Sequence, residues 1–173
     1  VDLESVYLWE NQISDISALA GLKELTFIDL SSNQISDISA LSSLANLSSL
    51  GLDFNQLTDI SALSGLTNLS YLSLRSNQVS DISALSGLTK LTRLYLDANR
   101  ISEISALSGL INLKYLNLSS NLISDISALS GLSNLSELWL KDNPNLDTSP
   151  GSPARKIIDE LIANGCEVHF DEN

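Results

Sequence analysis

An asparagine recurs every 22 residues through most of this chain: Asn11, Asn33, Asn55, Asn77, Asn99, Asn121 and Asn143, without a slip. A fixed period of that size marks stacked supersecondary units and excludes most other architectures at once. Around each Asn lies one frame, clearest at Leu69-Ser70-Tyr71-Leu72-Ser73-Leu74-Arg75-Ser76-Asn77. It reads Leu, two variable residues, Leu, one variable, Leu, two variable, Asn. Counted from Leu3, six full units run to Asn134, and a seventh begins at Leu135 and dissolves after Asn143. Places within a unit are numbered from its first Leu.

Two hydrophobic periods coexist in each unit. Apolar residues hold places 1, 4, 6, 11, 14, 17 and 20, as in Leu25, Ile28, Leu30, Ile35, Ile38, Leu41 and Leu44. Places 4 and 6 alternate with variable neighbours, which predicts a short strand with one buried face. From place 11 the spacing is three, which puts one edge of a 3₁₀ turn inward. The unit is too short for a strand and a long α-helix. The expected coil is strand, turn, then a 3₁₀ or irregular return, and stacked coils share one parallel sheet. No coil buries its leucines alone, so each needs a neighbour.

The Asn at place 9 follows from this geometry. Where the strand turns, backbone groups face inward without sheet partners, and an inward Asn supplies two donors and an acceptor to its own coil and the next. The ladder of Asn11, Asn33, Asn55, Asn77, Asn99, Asn121 and Asn143 is therefore read as structural. A second series, Asp15, Asp37, Asp59, Asp81, Glu103 and Asp125, precedes Ile each time and follows Ser, or Thr58 in the case of Asp59. It is expected to cap the short returns, where a carboxylate meets free N–H groups. Ala at place 16 fits close packing of the returns.

After Asn143 the pattern breaks. Pro144, Pro150, Gly151 and Pro153 punctuate a loop. Ser152 then Pro153 reads as an N-cap followed by Pro at the first helical position. Ile157, Ile158, Leu161 and Ile162 predict one apolar face, Asn164-Gly165 a stop, and Cys166 to Phe170 a last short strand. Residues 1–143 are thus read as the repeat unit and 144–173 as the segment closing its C-terminal end.

Composition narrows the function. Twenty-one acids against nine bases give a net charge of −12, which repels nucleic acid and anionic membrane surfaces. No apolar run approaches the roughly 18 residues of a membrane span. A single cysteine, Cys166, excludes an intrachain disulfide. Catalysis has no footing. The lone His169 has no Ser or Asp arranged with it, Cys166 and His169 have no second pair for zinc, and no phosphate-binding glycine loop occurs. No cofactor or metal is expected. The Asn-Leu-Ser sequons at Asn46, Asn68, Asn117 and Asn134 arise from the repeat itself.

The nine-residue frame is the signature of leucine-rich repeats. The 22-residue period, with NQVSDISALSGLTKL at Asn77 to Leu91, resembles the bacterial internalin type. The resemblance covers about residues 3 to 143, and the tail is similar to the helix-and-strand ends of bacterial repeat proteins. It implies an α/β solenoid, a curved right-handed coil with a parallel β-sheet on the concave face and 3₁₀ or irregular returns on the convex face. It also implies protein binding through the concave face, no catalysis, and an extracellular or bacterial cell-surface setting. Internalins carry a helical segment before their first repeat, and none precedes Leu3 here. Val6, Leu8 and Ile13 are therefore expected to be covered by upstream sequence or by another chain.

Places 3, 5 and 7 alternate with the buried leucines and so point out of the sheet. Over seven units that makes 21 places. Seven of the nine aromatics fall on them: Tyr7, Trp9, Phe27, Tyr71, Tyr95, Tyr115 and Trp139, where even scatter would put about one. Strand preference explains aromatics in strands but not their restriction to one face. Exposed Tyr and Trp give large contact areas with polar tips, as binding surfaces require. Adjacent coils sit about 4.8 Å apart. Place 3 then sets Arg93 between Tyr71 and Tyr115, in reach of both rings, and place 7 makes an ion ladder of Asp53, Arg75 and Asp97. Tyr95 lies between the columns. The expected partner site centres on Tyr71, Arg75, Arg93, Tyr95, Asp97 and Tyr115, with Asn117 beside it. Tyr7, Trp9 and Phe27 mark one end, and Trp139 with Lys141 the other. Coils two and three, with Asp29, Ser31, Ser49, Gly51 and Asp53, are bare and acidic. Two other readings stay open, a glycan-binding adhesin and a consensus scaffold without its own ligand.

Overall fold

The computed structural model describes residues 3–172. Eight three-residue strands form one parallel sheet in strict chain order. They are β1 Ser5–Tyr7, β2 Phe27–Asp29, β3 Ser49–Gly51, β4 Tyr71–Ser73, β5 Arg93–Tyr95, β6 Tyr115–Asn117, β7 Glu137–Trp139 and β8 Glu167–His169. Between successive repeat strands the chain returns through one 3₁₀ turn, from Ser17–Leu19 in the first coil to Ser127–Leu129 in the sixth. The structure is a leucine-rich repeat solenoid, as the two superposed periods demand.

The register is set by the repeat. Every strand pairs with the next so that equivalent places lie side by side: Val6 with Ile28, Ile28 with Leu50, Leu50 with Leu72, and so to Leu138 with Val168. Place 4 is thereby stacked into a continuous inward row. The apolar places close around it, and Leu25 to Leu132 form a core with almost no solvent contact. Fully burying a Leu is worth about 1.5–3 kcal/mol, and the benefit exists only when both flanking coils are present. Of the first-coil residues expected to need a cover from outside the repeats, Val6 is buried and Leu8 and Ile13 are half-buried.

Each interior Asn works as expected, and its bonds run backward. Asn77 Nδ2 donates to Leu52 O of the preceding coil at 2.9 Å, and to Leu74 O and Arg75 O of its own turn at 3.1 and 3.2 Å. Its Oδ1 accepts from Leu57 N–H, again of the preceding coil, at 3.0 Å. Asn55, Asn121 and Asn143 repeat this set with both neighbours buried. Asn11 has no described preceding coil, is exposed, and donates only to Leu8 O and Trp9 O. The Asp series also caps: the carboxylates of Asp15, Asp37, Asp59, Asp81 and Asp125 accept from the N–H two residues on at 2.7–2.8 Å. These bonds hold the carboxyls of Asp15, Asp37 and Asp81 below the usual range. Glu103, one methylene longer, makes no such bond. The sequon residues Asn46, Asn68 and Asn134 are occupied too, donating to the backbone one coil back.

One feature of the turns has no signal in the sequence. Place 8, just before each Asn, lies in the left-handed region in all seven coils: Glu10, Ser32, Phe54, Ser76, Ala98, Ser120 and Asp142, with φ between 52° and 58°. None is Gly or Asn, the residues that ordinarily hold this conformation. It is fixed instead by bonds to the next coil, such as Phe54 N–H to Arg75 O at 2.8 Å.

The tail follows its sequence with one exception. Helix α1, Pro153–Ala163, starts at Ser152, whose Oγ accepts from Arg155 N–H at 3.1 Å. It ends on Gly165 at φ 90°, with Cys166 N–H donating to Leu161 O and Gly165 N–H to Ile162 O. That pair of bonds is the Schellman closure. Ala154, Ile158 and Leu161 are buried and Ile157 is half-buried, but Ile162 is 47% exposed. The expected four-residue face is too wide for the surface beneath it, and Ala154 takes the place assigned to Ile162.

Candidate functional site

The site is built by the strand pleat. With places 4 and 6 inward, places 3, 5 and 7 project from the opposite face, and parallel pairing lines them into columns. Tyr71, Arg93 and Tyr115 are register neighbours at place 3, and Ser73, Tyr95, Asn117 and Trp139 at place 5. The first coil presents Tyr7 at 64% exposure and Trp9 at 51%. Tyr71, Tyr95, Tyr115, Asn117 and Trp139 are half-buried against their neighbours, and Lys141 is exposed.

The rings pair diagonally. Tyr95 reaches across from place 5 to both flanking place-3 tyrosines, with ring centres 5.6 Å from Tyr71 and 4.6 Å from Tyr115. Tyr7 meets Phe27 in the same way at 4.7 Å. Arg93 is therefore not sandwiched between Tyr71 and Tyr115. Tyr95 fills that space, and Arg93 stands exposed beside it. Aromatic surface gains more from leaving water than a hydrated guanidinium does, so the ring takes the gap.

The ion ladder is half formed. Arg75 Nε donates to Asp97 at 2.9 Å. Asp53 does not join as an ion-pair partner. Its carboxylate turns to backbone and hydroxyl, accepting from Arg75 N–H at 3.0 Å and from Ser73 Oγ. Burial raises the carboxyl of Asp53, with these two bonds pulling the other way. Burial likewise raises Asp97, opposed by the Arg75 guanidinium. Tyr115 is pushed up to about 12, first by desolvation and then by the nearby Tyr95 and Glu137. Asp97 is only 8% exposed, and its Oδ1, with Ser119 Oγ, is one of two buried side-chain atoms lacking a hydrogen-bond partner among the described residues.

Two groups escape sequence reasoning. Phe54, at place 8, lies off the alternating face, yet its ring is 50% exposed and 5.4 Å from the Arg75 guanidinium carbon. Its left-handed φ of 52° swings it toward the site. At the other end, Trp139 stacks on His169 of β8 at 3.7 Å and 19°, while its Nε1 donates to Glu137 at 2.7 Å. The strand β8 brings His169 there, a pairing that no period announces because β8 lies outside the repeat. A hollow of about 560 Å³ lies away from these residues, among the returns around Asp81 and Glu103. It is walled by repeat serines, and the unusual residue types gather instead on the sheet face. Among the described residues no group of three or more His, Cys, Asp or Glu is arranged to hold a metal.

A parallel sheet one strand per coil, 3₁₀ returns and an interior Asn ladder define a leucine-rich repeat solenoid, a scaffold for protein interaction. The family model described as leucine rich repeats, in two copies, matches residues 1–43, 23–65, 45–86, 67–109 and 111–153. The crystal structure of an internalin (inlF) from Listeria monocytogenes str. 4b F2365 is 34% identical, with a TM-score of 0.81 over 94% of this chain and 45% of that one. Internalin C2 (inlC2) of the same strain is 35% identical, TM-score 0.86, over 99% of this chain and 71% of that one. A leucine-rich repeat protein of Leptospira interrogans is 26% identical, TM-score 0.78, over 97% of this chain and 49% of that one. The chain thus spans about half the length of two of these proteins. A comparison with curated protein sequences gave no match. The chain belongs to the leucine-rich repeat family and is a bacterial repeat protein of the internalin type, a family that is generally non-enzymatic. Among the described residues no helix is long and apolar enough to cross a membrane.

Proposed function

We propose that this chain recognises a protein partner through its concave sheet face, at a bacterial surface or after secretion. The observation that carries the reading is the run Tyr71–Tyr95–Tyr115, three half-buried phenols in ring contact across three adjacent coils, flanked by Arg75, Arg93 and Asp97. Large, rigid, amphipathic rings beside charged groups already oriented by neighbours are the composition of binding hot spots. Phe54 extends this centre along the edge. Tyr7, Trp9 and Phe27 flank it at one end, and Asn117, Trp139 and Lys141 at the other. Removing Arg93 and Tyr95 together (Arg93→Ala with Tyr95→Ala) should abolish partner capture and leave thermal unfolding nearly unchanged. Capture that survives this pair and is lost instead on changing Asp37, Asp59 and Asp81 of the returns would overturn the reading.

Sugar binding is the second reading, and the ring geometry disfavours it. A pyranose needs a flat exposed ring, whereas the tyrosines are tilted on one another by 33° and 48°. The one parallel stack among the described residues, Trp139 on His169, is closed on itself. A scaffold without its own ligand would have no need to confine its aromatics to one face.

A further inference from the structure

Gly51 interrupts the outward columns of the sheet. Its register neighbours at place 5 are Asp29 and Ser73, and its missing side chain leaves a notch of about 260 Å³. Phe27 and Tyr71 stand at the sides, and Asp29 and Asp53 supply carboxylates. The absence of a side chain is what lets the Asp29 carboxylate lie across the strand into the notch: a Cβ at Gly51 would lie 2.8 Å from Asp29 Oδ1. Both carboxylates are held in place through one oxygen. Asp29 Oδ1 accepts from Ser31 N–H at 3.0 Å, and Asp53 Oδ1 from Arg75 N–H. The second oxygen of each makes no hydrogen bond within the described residues, and neither Asp is in an ion pair there.

The neighbouring coils show which group such a place accepts. Arg75 lies with its guanidinium over the Phe54 ring and its Nε on Asp97. The notch offers the same partners, ring faces and carboxylates, with no cation of the chain's own between them. An ammonium is a strongly hydrated point charge, whereas a guanidinium is planar and weakly hydrated, stacks flat on aromatic faces and engages carboxylates through a bidentate fork. We propose that the Gly51 notch seats an arginine side chain of the protein partner, between Phe27 and Tyr71 and against Asp29 and Asp53. This rests on the concave face being the partner surface, and it adds that the partner presents arginine to an otherwise acidic chain of net charge −12. Burial already disfavours the Asp53 anion, and a guanidinium beside it would relieve that cost.

The test is a titration of the full chain, followed by amide NMR, with N-acetyl-arginine amide. N-acetyl-citrulline amide, of the same shape and uncharged, and N-acetyl-lysine amide serve as comparisons. The arginine probe should give saturable shifts centred on the Gly51 and Ser31 amides, with citrulline silent and lysine weaker. Asp29→Asn should weaken the arginine effect about tenfold, the loss of one charge-assisted contact, and Gly51→Ala should abolish it. Bound probe should also lower the Asp53 titration midpoint. No shift in the notch, equal response to citrulline or lysine, or unchanged binding in Asp29→Asn and Gly51→Ala would each overturn the assignment. Failure here with partner capture still dependent on Arg93 and Tyr95 removes the notch and leaves the concave-face reading standing. Loss of that dependence with the arginine shifts intact does the reverse.

Discussion

The Arg75 guanidinium carbon lies 5.4 Å from the centre of the Phe54 ring, one coil away, while its Nε reaches 2.9 Å to Asp97 on the opposite side. A long, flexible cation is thereby held across three coils. The ion pair is partly screened, with Arg75 exposed, and such pairs contribute about 0–1 kcal/mol. Its consequence is orientation of the guanidinium rather than stability.

Phe54 occupies a left-handed position that costs a side-chain-bearing residue about 1–2 kcal/mol. Both Phe54→Ala and Phe54→Gly lose the ring, but only Gly relieves the backbone. Phe54→Gly should therefore be the more stable of the two by about 1 kcal/mol in urea unfolding. Both should weaken partner capture alike. Equal stabilities would mean that the φ of 52° carries no strain.

The Asn ladder predicts a gradient along the chain. Asn77→Ala strands Leu57 N–H in the interior, while Leu52 O, Leu74 O and Arg75 O each keep a second donor, and should cost about 1–3 kcal/mol. Asn11→Ala, at an exposed position with two bonds, should cost less than about 1 kcal/mol. Chemical denaturation of the two single variants measures the difference.

Acidification should reach the two faces in a fixed order. Asp53 and Asp97 titrate above the usual carboxylate range because burial disfavours their charge. Asp15, Asp37 and Asp81 titrate below it because backbone N–H groups favour theirs. For the raised pair, the folded state holds protons more tightly than the unfolded chain. Their contribution to stability is full below the unfolded value and is lost as pH rises through the folded one. The lowered set acts oppositely, contributing above the unfolded value and losing its effect as pH falls through the folded one. Carbon-detected carboxyl titration should show Asp53 and Asp97 protonating, with release of Arg75 from Asp97, while Asp37 remains charged.

At the tail, Gly165 at φ 90° carries the helix closure. Gly165→Ala forces a Cβ into that conformation and should cost about 1–2 kcal/mol. Ser152→Ala, which removes the helix cap and the Ser152 hydroxyl's bond to Asp147 O at 2.7 Å, should cost about 1 kcal/mol. Thermal unfolding followed by Trp139 fluorescence in a Trp9→Phe background reports both, since Trp139 stacks on β8.

What the repeat determines was legible residue by residue. The alternation at places 4 and 6 placed the seven repeat strands, their register and their outward set, and the spacing of three located the returns. What failed has a common cause. Place 8 is left-handed with Glu, Ser, Phe, Ala and Asp in it, because inter-coil bonds impose a conformation that residue preference alone does not signal. Phe54 was missed for that reason. Columns gave the right neighbours for Arg93 and Arg75 but not the side-chain directions, which depend on competition. Tyr95 won the space beside Arg93, and backbone N–H groups won the carboxylate of Asp53. Ile162 was misplaced because helical spacing gives a direction and not the width of the surface beneath it.

The backward direction of the Asn bonds gives the stack a polarity in time as well as space. A coil leaving a ribosome, or a pore traversed N-terminus first, has its open carbonyl and N–H groups met by the Asn of the coil that follows it. Each 22 residues delivered can lock the previous 22, so the molecule is suited to being completed in the order it is threaded.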